Sequence, residues 1–301
     1  MIVIIEGADK TGKTTLAKKL AADLGWRYEH FGAPAKGSRA ADQYLNYLKN
    51  LKRPTIIDRF HIGETIYGKL LRGESQVNDQ EMTVLNRWIN KLNGMVVLME
   101  PQLKEFEDRW AVGKRHEDID NSQAVSVFKM FSDKYTELID QLEFKVMEDS
   151  ETEYDVLKKI VKNKLNDYYR AKRYKLTGYG SLQPSYIFVG DSLNENVTWS
   201  GMPFDGGKSS ALLANSLFKA NVLEKYCYFV NSDTLTPQEM RWLTKHELGI
   251  VVALGNNASK KLTILGYNHD KIPHPSYWLR FMSKNIQGKT YDKIIEEVVK
   301  C

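Results

Sequence analysis

Cysteine is scarce in this chain: two among 301 residues, Cys227 and Cys301. That excludes a disulfide framework and a four-thiolate metal site, and makes a reducing compartment, the cytoplasm, the expected location. Long apolar runs are missing too. The run at the start, Met1 to Ile5, is far short of the ~18 uninterrupted apolar residues of a membrane span, and it lacks a signal peptide's basic end and cleavage site. Neither sign of charge dominates, with 43 Lys and Arg against 38 Asp and Glu. The net +5 and a pI near 8.9 permit an anionic partner without requiring one. What is present suffices for packing. Hydrophobic residues make up 42% and charged residues 27%, so disorder is excluded, and at about 150 residues per domain two globular domains are expected.

The first half alternates short apolar runs with helical spacing. Met1–Glu6 reads as a strand buried on both faces, and Pro54–Asp58, Gly94–Met99 and Phe144–Met147 read as further strands. Lys13–Leu24, with Leu16, Leu20 and Leu24 in helical register, and segments around Gln43–Leu51, Gln80–Leu92 and Ala124–Leu142 read as helices. Strands alternating with helices predict an α/β fold with a parallel sheet.

The turn after the first strand carries the most specific signal. Gly7-Ala8-Asp9-Lys10-Thr11-Gly12-Lys13-Thr14 fits G-x-x-x-x-G-K-[ST] in strand–loop–helix context, followed by Thr15. Glycines let the backbone curl so that successive N–H groups face a phosphate, and the new helix adds its positive end. In such a loop Lys13 reaches the β- and γ-phosphates of ATP and the Thr14 hydroxyl ligates Mg²⁺. A second Gly-Lys-Ser, at Gly207-Lys208-Ser209, fails the same pattern because Met202 stands where the first glycine is required.

Glu6-Gly7-Ala8-Asp9, the loop, and Asp58-Arg59-Phe60 closing a buried strand together resemble the thymidylate kinase family over roughly residues 1–166. The resemblance implies a P-loop kinase using ATP and Mg²⁺. Asp9 would approach the acceptor's hydroxyl, Arg59 the acceptor and the transferring group, and Asp58 the metal beside Thr14. It also implies a cationic lid in Arg109–Asp118, with Arg109, Lys114 and Arg115 over the phosphates. One departure matters. Where the family carries an arginine that clamps the acceptor monophosphate, Tyr28–Pro34 has none, leaving Arg27 or Arg39 as substitutes.

Between Lys158 and Lys175 lie eight basic residues against one acid, Asp167, interleaved with Tyr168, Tyr169 and Tyr174. Either a solvated helix leads into a linker here, or the segment tracks phosphates with stacking aromatics. Residues 167–183 are expected to form a basic, aromatic linker, and 184–301 a second, smaller three-layer α/β domain. Its strands are Tyr186–Val189, Tyr226–Val230 and Leu248–Ala253, with helices after Gly207 and at Pro237–Lys245. The order Val189-Gly190-Asp191, Gly201–Gly206, Ala253–Asn256 and His274-Pro275-Ser276 resembles the uracil-DNA glycosylase superfamily. That resemblance implies a pocket for an extruded base, with Asp191 at the sugar, Phe204 stacking, His274 on a base oxygen, and Asn256 beside them. The four cluster cysteines of the similar branch are absent, so no iron–sulfur cluster is expected.

Together the halves imply an ATP-dependent phosphotransferase. One expected acceptor is the hydroxymethyl group of 5-hydroxymethyluracil in DNA, a reaction associated with thymidylate-kinase-like enzymes of phages, which would place the protein in the host cytoplasm. The other is a free pyrimidine deoxynucleotide, with the second domain as an accessory base-binding module.

Overall fold

An apolar, β-branched run without turn residues must be covered on both faces, and the five side chains of Ile2–Glu6 (β1), the closing glutamate included, are all buried. The computed structural model describes residues 1–34, 38–112, 119–148, 151–191, 202–204, 207–245, 249–282 and 290–300, apart from the side chains of 151 and 282. They form two units, Met1–Asn166 and Asp167–Cys301. After β1 the first unit continues with α1 (Lys13–Leu24), β2 (Arg27–His30), α2 (Ala40–Lys49), β3 (Thr55–Asp58), α3 (His61–Arg72) and α4 (Asp79–Lys91). Next come β4 (Met95–Met99), α5 (Leu103–Val112), α6 (Asn121–Leu138), β5 (Phe144–Met147) and α7 (Glu151–Arg173), which runs past the unit boundary.

The five strands form one parallel sheet in the order β2-β3-β1-β4-β5. Ile2 and Ile4 of β1, Ile57, Val96 and Leu98 join Leu45, Phe60, Leu85, Phe106 and Phe128 in its core. Helix starts follow local chemistry. Asn78 with Glu81, and Asp120 with Gln123, form reciprocal capping boxes at α4 and α6. In register, Ile5 faces Asp58 on β3 and Glu6 faces Leu98 on β4. The two carboxylates therefore emerge at the carboxyl edge of the sheet, where open α/β folds bind ligands.

The second unit takes in the last residues of α7, then β6 (Tyr179–Gly180), β7 (Tyr186–Gly190), α8 (Gly207–Lys219), β8 (Cys227–Asn231) and α9 (Pro237–Leu243). It ends with β9 (Ile250–Leu254), α10 (Asn256–Ile264), β10 (Asp270–Ile272), the single turn α11 (Pro275–Tyr277), a π-helical turn over Trp278–Met282, and α12 (Tyr291–Val299). Its sheet runs β10-β9-β7-β8-β6, parallel except for the short β6. The stretch 167–183 is thus largely built in. Asp167–Arg173 completes a helix, Ala171 joins the core with Tyr174 packed against it, and Tyr179 and Gly180 pair with β8. Among the described residues no helix is long and apolar enough to cross a membrane.

Candidate active site

The chain leaves β1 at Glu6 and turns against β4. At Gly7 (φ 138°) a Cβ would lie 2.6 Å from the Met99 carbonyl oxygen, so the turn requires glycine. The loop then feeds α1, whose N-cap Gly12 supplies no side-chain cap, the arrangement in which a phosphate takes that place. Thr11 donates to the Ala8 carbonyl at 2.8 Å. The Lys13 ammonium, buried to 4% exposure, donates to the same oxygen and lies 3.8 Å from Asp9. Burial pulls its pKa down to about 8 against the opposing pull of Asp9. The cation therefore occupies the cradle that phosphates would enter. Thr14 and Thr15 are exposed on the first turn, while Lys10 reaches away to the Trp110 carbonyl (3.0 Å) and lies 4.3 Å from that indole's centroid.

Asp58 ends β3 fully buried. Its Oδ2 accepts from the Thr14 hydroxyl (2.7 Å) and the Tyr28 hydroxyl (3.0 Å), and lies 2.9 Å from His30 Nδ1. Burial alone would raise the Asp58 pKa, but the hydrogen bonds from Thr14, His30 and Tyr28 outweigh it and hold the carboxyl below its usual value. Its Oδ1 is buried without a partner. A hydroxyl beside an ionised carboxylate with one oxygen unspent is a donor set that fits Mg²⁺, which takes one or two protein oxygens alongside phosphates.

Next to Asp58, Arg59 adopts a left-handed backbone (φ 65°), a strained conformation for a residue with a side chain. The strain turns its guanidinium onto Asp9 at 2.5 Å, while the Asp9 N–H donates to the Tyr67 hydroxyl at 2.9 Å. These groups border a cavity of about 220 Å³ whose wall includes Phe31, Tyr44, Phe60 and Tyr67, with the Glu64–Arg72 ion pair on its lining.

Glu6 lines the same cavity, and residue spacing alone gives it no role. Its Oε1 accepts from the backbone N–H of Phe60 (2.9 Å) and Gly63 (3.2 Å), while its Oε2 is buried and unpartnered. Burial raises its pKa to about 7, against the pull of those two N–H groups. The available signal was a lone carboxylate closing an otherwise apolar buried strand.

The remaining candidates are dispersed. Arg109 lies on α5 with its guanidinium 2.6 Å from Glu105, one turn back. Lys114 and Arg115 fall outside the described residues. Arg27 pairs with Glu29 at 2.6 Å, Arg39 pairs with Asp42 and Glu81, and neither lines the cavity.

In the second unit, Asp191, Asn256 and His274 line one pocket of about 680 Å³, together with Asn257, Lys271 and Tyr277. Phe204 is not on its lining, but its ring stacks on His274 (centroids 6.4 Å, planes 25° apart). Asp191 Oδ1 accepts from the N–H groups of Asn257 (3.1 Å) and Ala258 (3.0 Å), capping α10. The approach is close enough that a Cβ on Gly255 would lie 2.8 Å from the carboxylate. His274 Nδ1 accepts from Ser276 N–H (3.2 Å), which puts the neutral ring's proton on Nε2. Burial lowers the His274 pKa, with Asp191 pulling the other way, so the ring is a neutral donor at pH 7.

No protein-family model matches the chain, and no curated protein matches it. Solved structures do. A YorR protein from Bacillus subtilis in complex with phosphorylated GDP is 19% identical over 56% of this chain and 98% of its own, with a TM-score of 0.48. A deoxyadenosine kinase from M. mycoides with bound dCMP and dCDP is 21% identical over 55% and 98%, TM-score 0.36. A shikimate kinase from Bacteroides thetaiotaomicron is 12% identical over 55% and 98%, TM-score 0.34.

Proposed function

We propose that the chain is an ATP-dependent kinase that phosphorylates the hydroxymethyl group of 5-hydroxymethyluracil within DNA. One conjunction carries the kinase reading: a P-loop with Lys13 buried in it, the Thr14–Asp58 pair, and an adjoining cavity ending on Glu6. Thr14 and Asp58 would hold Mg²⁺, which when bound supplies charge neutralisation to the phosphates. The acceptor hydroxyl gives its proton to Glu6 Oε2 as its oxygen bonds to the γ-phosphorus and the bond to the departing ADP oxygen breaks. Glu6 suits this better than Asp9, which is spent on Arg59 and Lys13, or Asp58, whose carboxyl three hydrogen bonds hold below its usual pKa and whose open oxygen is the one that would face the metal. A base with a pKa near 7 is matched to work at neutral pH. Lys13 and Arg59 supply positive charge where it develops in the transition state.

Charge in the cavity favours a neutral acceptor. Its lining carries three carboxylates, Glu6, Asp9 and Glu64, against two guanidinium groups, Arg59 and Arg72, each already paired. A dianionic monophosphate would meet no spare cation there, whereas a hydroxyl on an aromatic-stacked ring meets Glu6. The second unit supports the DNA part, with a polar pocket holding a neutral His274 donor and exposed Arg170, Lys172 and Arg173. The motif resemblances to thymidylate kinases and uracil-DNA glycosylases point the same way. The presence of Arg59 and Arg72 on the cavity wall is what favours the second reading, a free deoxynucleoside monophosphate kinase with an accessory base-binding unit.

Salt separates the two. If DNA is the acceptor, transfer should fall steeply with salt, because each neutralised phosphate releases counterions. Changing Arg170, Lys172 and Arg173 together to Gln should raise KM for DNA and flatten the log–log salt slope by about 2 to 3, with KM for ATP unchanged. A salt-insensitive reaction, or a triple variant with the wild-type slope, would remove the basic segment from the account.

A further inference from the structure

The edge strand β2 spends two of its four side chains on a single atom of its neighbour. Tyr28 and His30, two residues apart, share a face of the strand, and in register His30 pairs with Asp58 of β3. The Tyr28 hydroxyl (3.0 Å) and His30 Nδ1 (2.9 Å) both reach Asp58 Oδ2, the oxygen that also accepts from Thr14 (2.7 Å). An ionised carboxylate only accepts, so Nδ1 carries an imidazole proton. Arg27 and Glu29, on the other face, pair with each other at 2.6 Å. The Phe31 N–H donates to the Asp58 carbonyl at 3.1 Å, extending the pairing one residue past β2.

The distribution of donors is lopsided. Three converge on Oδ2, while Oδ1 of the same fully buried side chain has none among the described residues. A carboxylate buried for structure alone would divide its donors between its oxygens, because a buried oxygen left unpaired costs free energy. Here β2 adds two donors to the oxygen that the loop's own threonine already serves, and the other stays open.

We propose that Tyr28 and His30 are positioning residues for the metal: they fix the Asp58 carboxylate so that Oδ1 faces the cation. The inference rests on the reading of Thr14 and Asp58 as the metal's protein ligands. Mg²⁺ demands near-ideal octahedral geometry, and a carboxylate free to turn about its last torsion would offer it either oxygen or both. Donors gathered on one oxygen remove that freedom before the metal arrives. Thr14 serves twice, since its proton can stay on Oδ2 while its oxygen keeps lone pairs for the metal. Tyr28 and His30 act through Asp58 alone. The stretch that lacks an acceptor-clamping arginine thus serves the donor side of the site.

The test is a titration of the full chain, saturated with ADP, with Mn²⁺ in place of Mg²⁺, free Mn²⁺ being read by electron paramagnetic resonance. Tyr28→Phe and His30→Ala are each expected to weaken Mn²⁺ binding about 10- to 100-fold. His30→Asn, whose amide nitrogen can stand where Nδ1 does, should keep most of the affinity, and ADP binding without metal should stay the same in all three. Wild-type Mn²⁺ affinity in either Tyr28→Phe or His30→Ala, with Asp58→Asn weakened, would overturn the proposal and leave the metal reading standing. Wild-type affinity in Asp58→Asn would overturn the metal reading and the proposal with it. Metal-free ADP binding lost in step with Mn²⁺ binding would mean that the two side chains hold up the loop rather than the metal, and would refute the proposal. Nitrogen hyperfine coupling on bound Mn²⁺ that disappears in His30→Ala would make the imidazole itself a ligand, and would refute it too.

Discussion

Replacing Lys13 with methionine is expected to lower the rate of phosphoryl transfer at least about 10²- to 10³-fold without lowering the melting temperature. The two halves of that expectation have one cause. The ammonium is 4% exposed and desolvated enough to pull its pKa down to about 8, so the fold bears a cost to keep a charge there. Methionine fills the same space without a charge to bury, and the native state should hold or gain stability. The transition state loses the cation that faces the transferring phosphoryl group, and each ~1.4 kcal/mol lost there is tenfold in rate. ADP formation and a melting curve on the same preparation check both halves. Near-normal turnover in a normally folded variant would mean that the loop does not serve catalysis.

Glu6→Gln should produce an effect of similar size through a different group, with kcat falling about 10²- to 10⁴-fold. Glutamine keeps an Oε1 for the Phe60 and Gly63 N–H groups but cannot take a proton from the acceptor. Wild-type kcat should climb through pH 7 as Glu6 ionises, and the variant should lack that limb. Stability moves the other way. The Glu6 pKa rises from 4.5 to about 7 on folding, so the folded state holds the proton more tightly. The associated stability is fully present below about pH 4.5 and is lost as pH rises through about 7. The uncharged variant should therefore be more stable than wild type at pH 8 by roughly 3 kcal/mol and similar to it near pH 4.5. A fully active variant, or one no more stable at pH 8, would take Glu6 out of the mechanism.

Buried strands were legible in the sequence because they are continuous apolar runs. β1, β3 and β4, and with them the partly buried edge strand β5, lie within about a residue of their expected positions. The edge strands β2 and β6 were not. Arg27–His30 has two exposed side chains and no apolar alternation, and Tyr179–Gly180 is two residues long. In α3 the apolar Ile62 and Ile66 are interrupted by Gly63 and Gly68, which blurs the helical period. At the site, the loop and the Asp58-Arg59 pair were visible because tight turns and metal ligands restrict residue type. The cavity was not, because it is assembled from β1, α2, α3 and the residues after β2, which spacing cannot bring together. Asp191, Asn256 and His274, up to 83 positions apart in sequence (274 minus 191), line one pocket for the same topological reason. The capping of α10 by Asp191 could be seen only in three dimensions.

The central claim is that the acceptor is a base hydroxyl held in DNA. The most direct measurement is transfer of the γ-phosphate from labelled ATP in parallel reactions with 5-hydroxymethyluracil DNA, unmodified DNA and free dTMP. Label should enter the modified DNA alone and stay with the base after digestion to nucleosides, and Glu6→Gln should abolish its entry. Efficient labelling of dTMP with none on modified DNA would contradict the claim and leave a free-nucleotide kinase in its place.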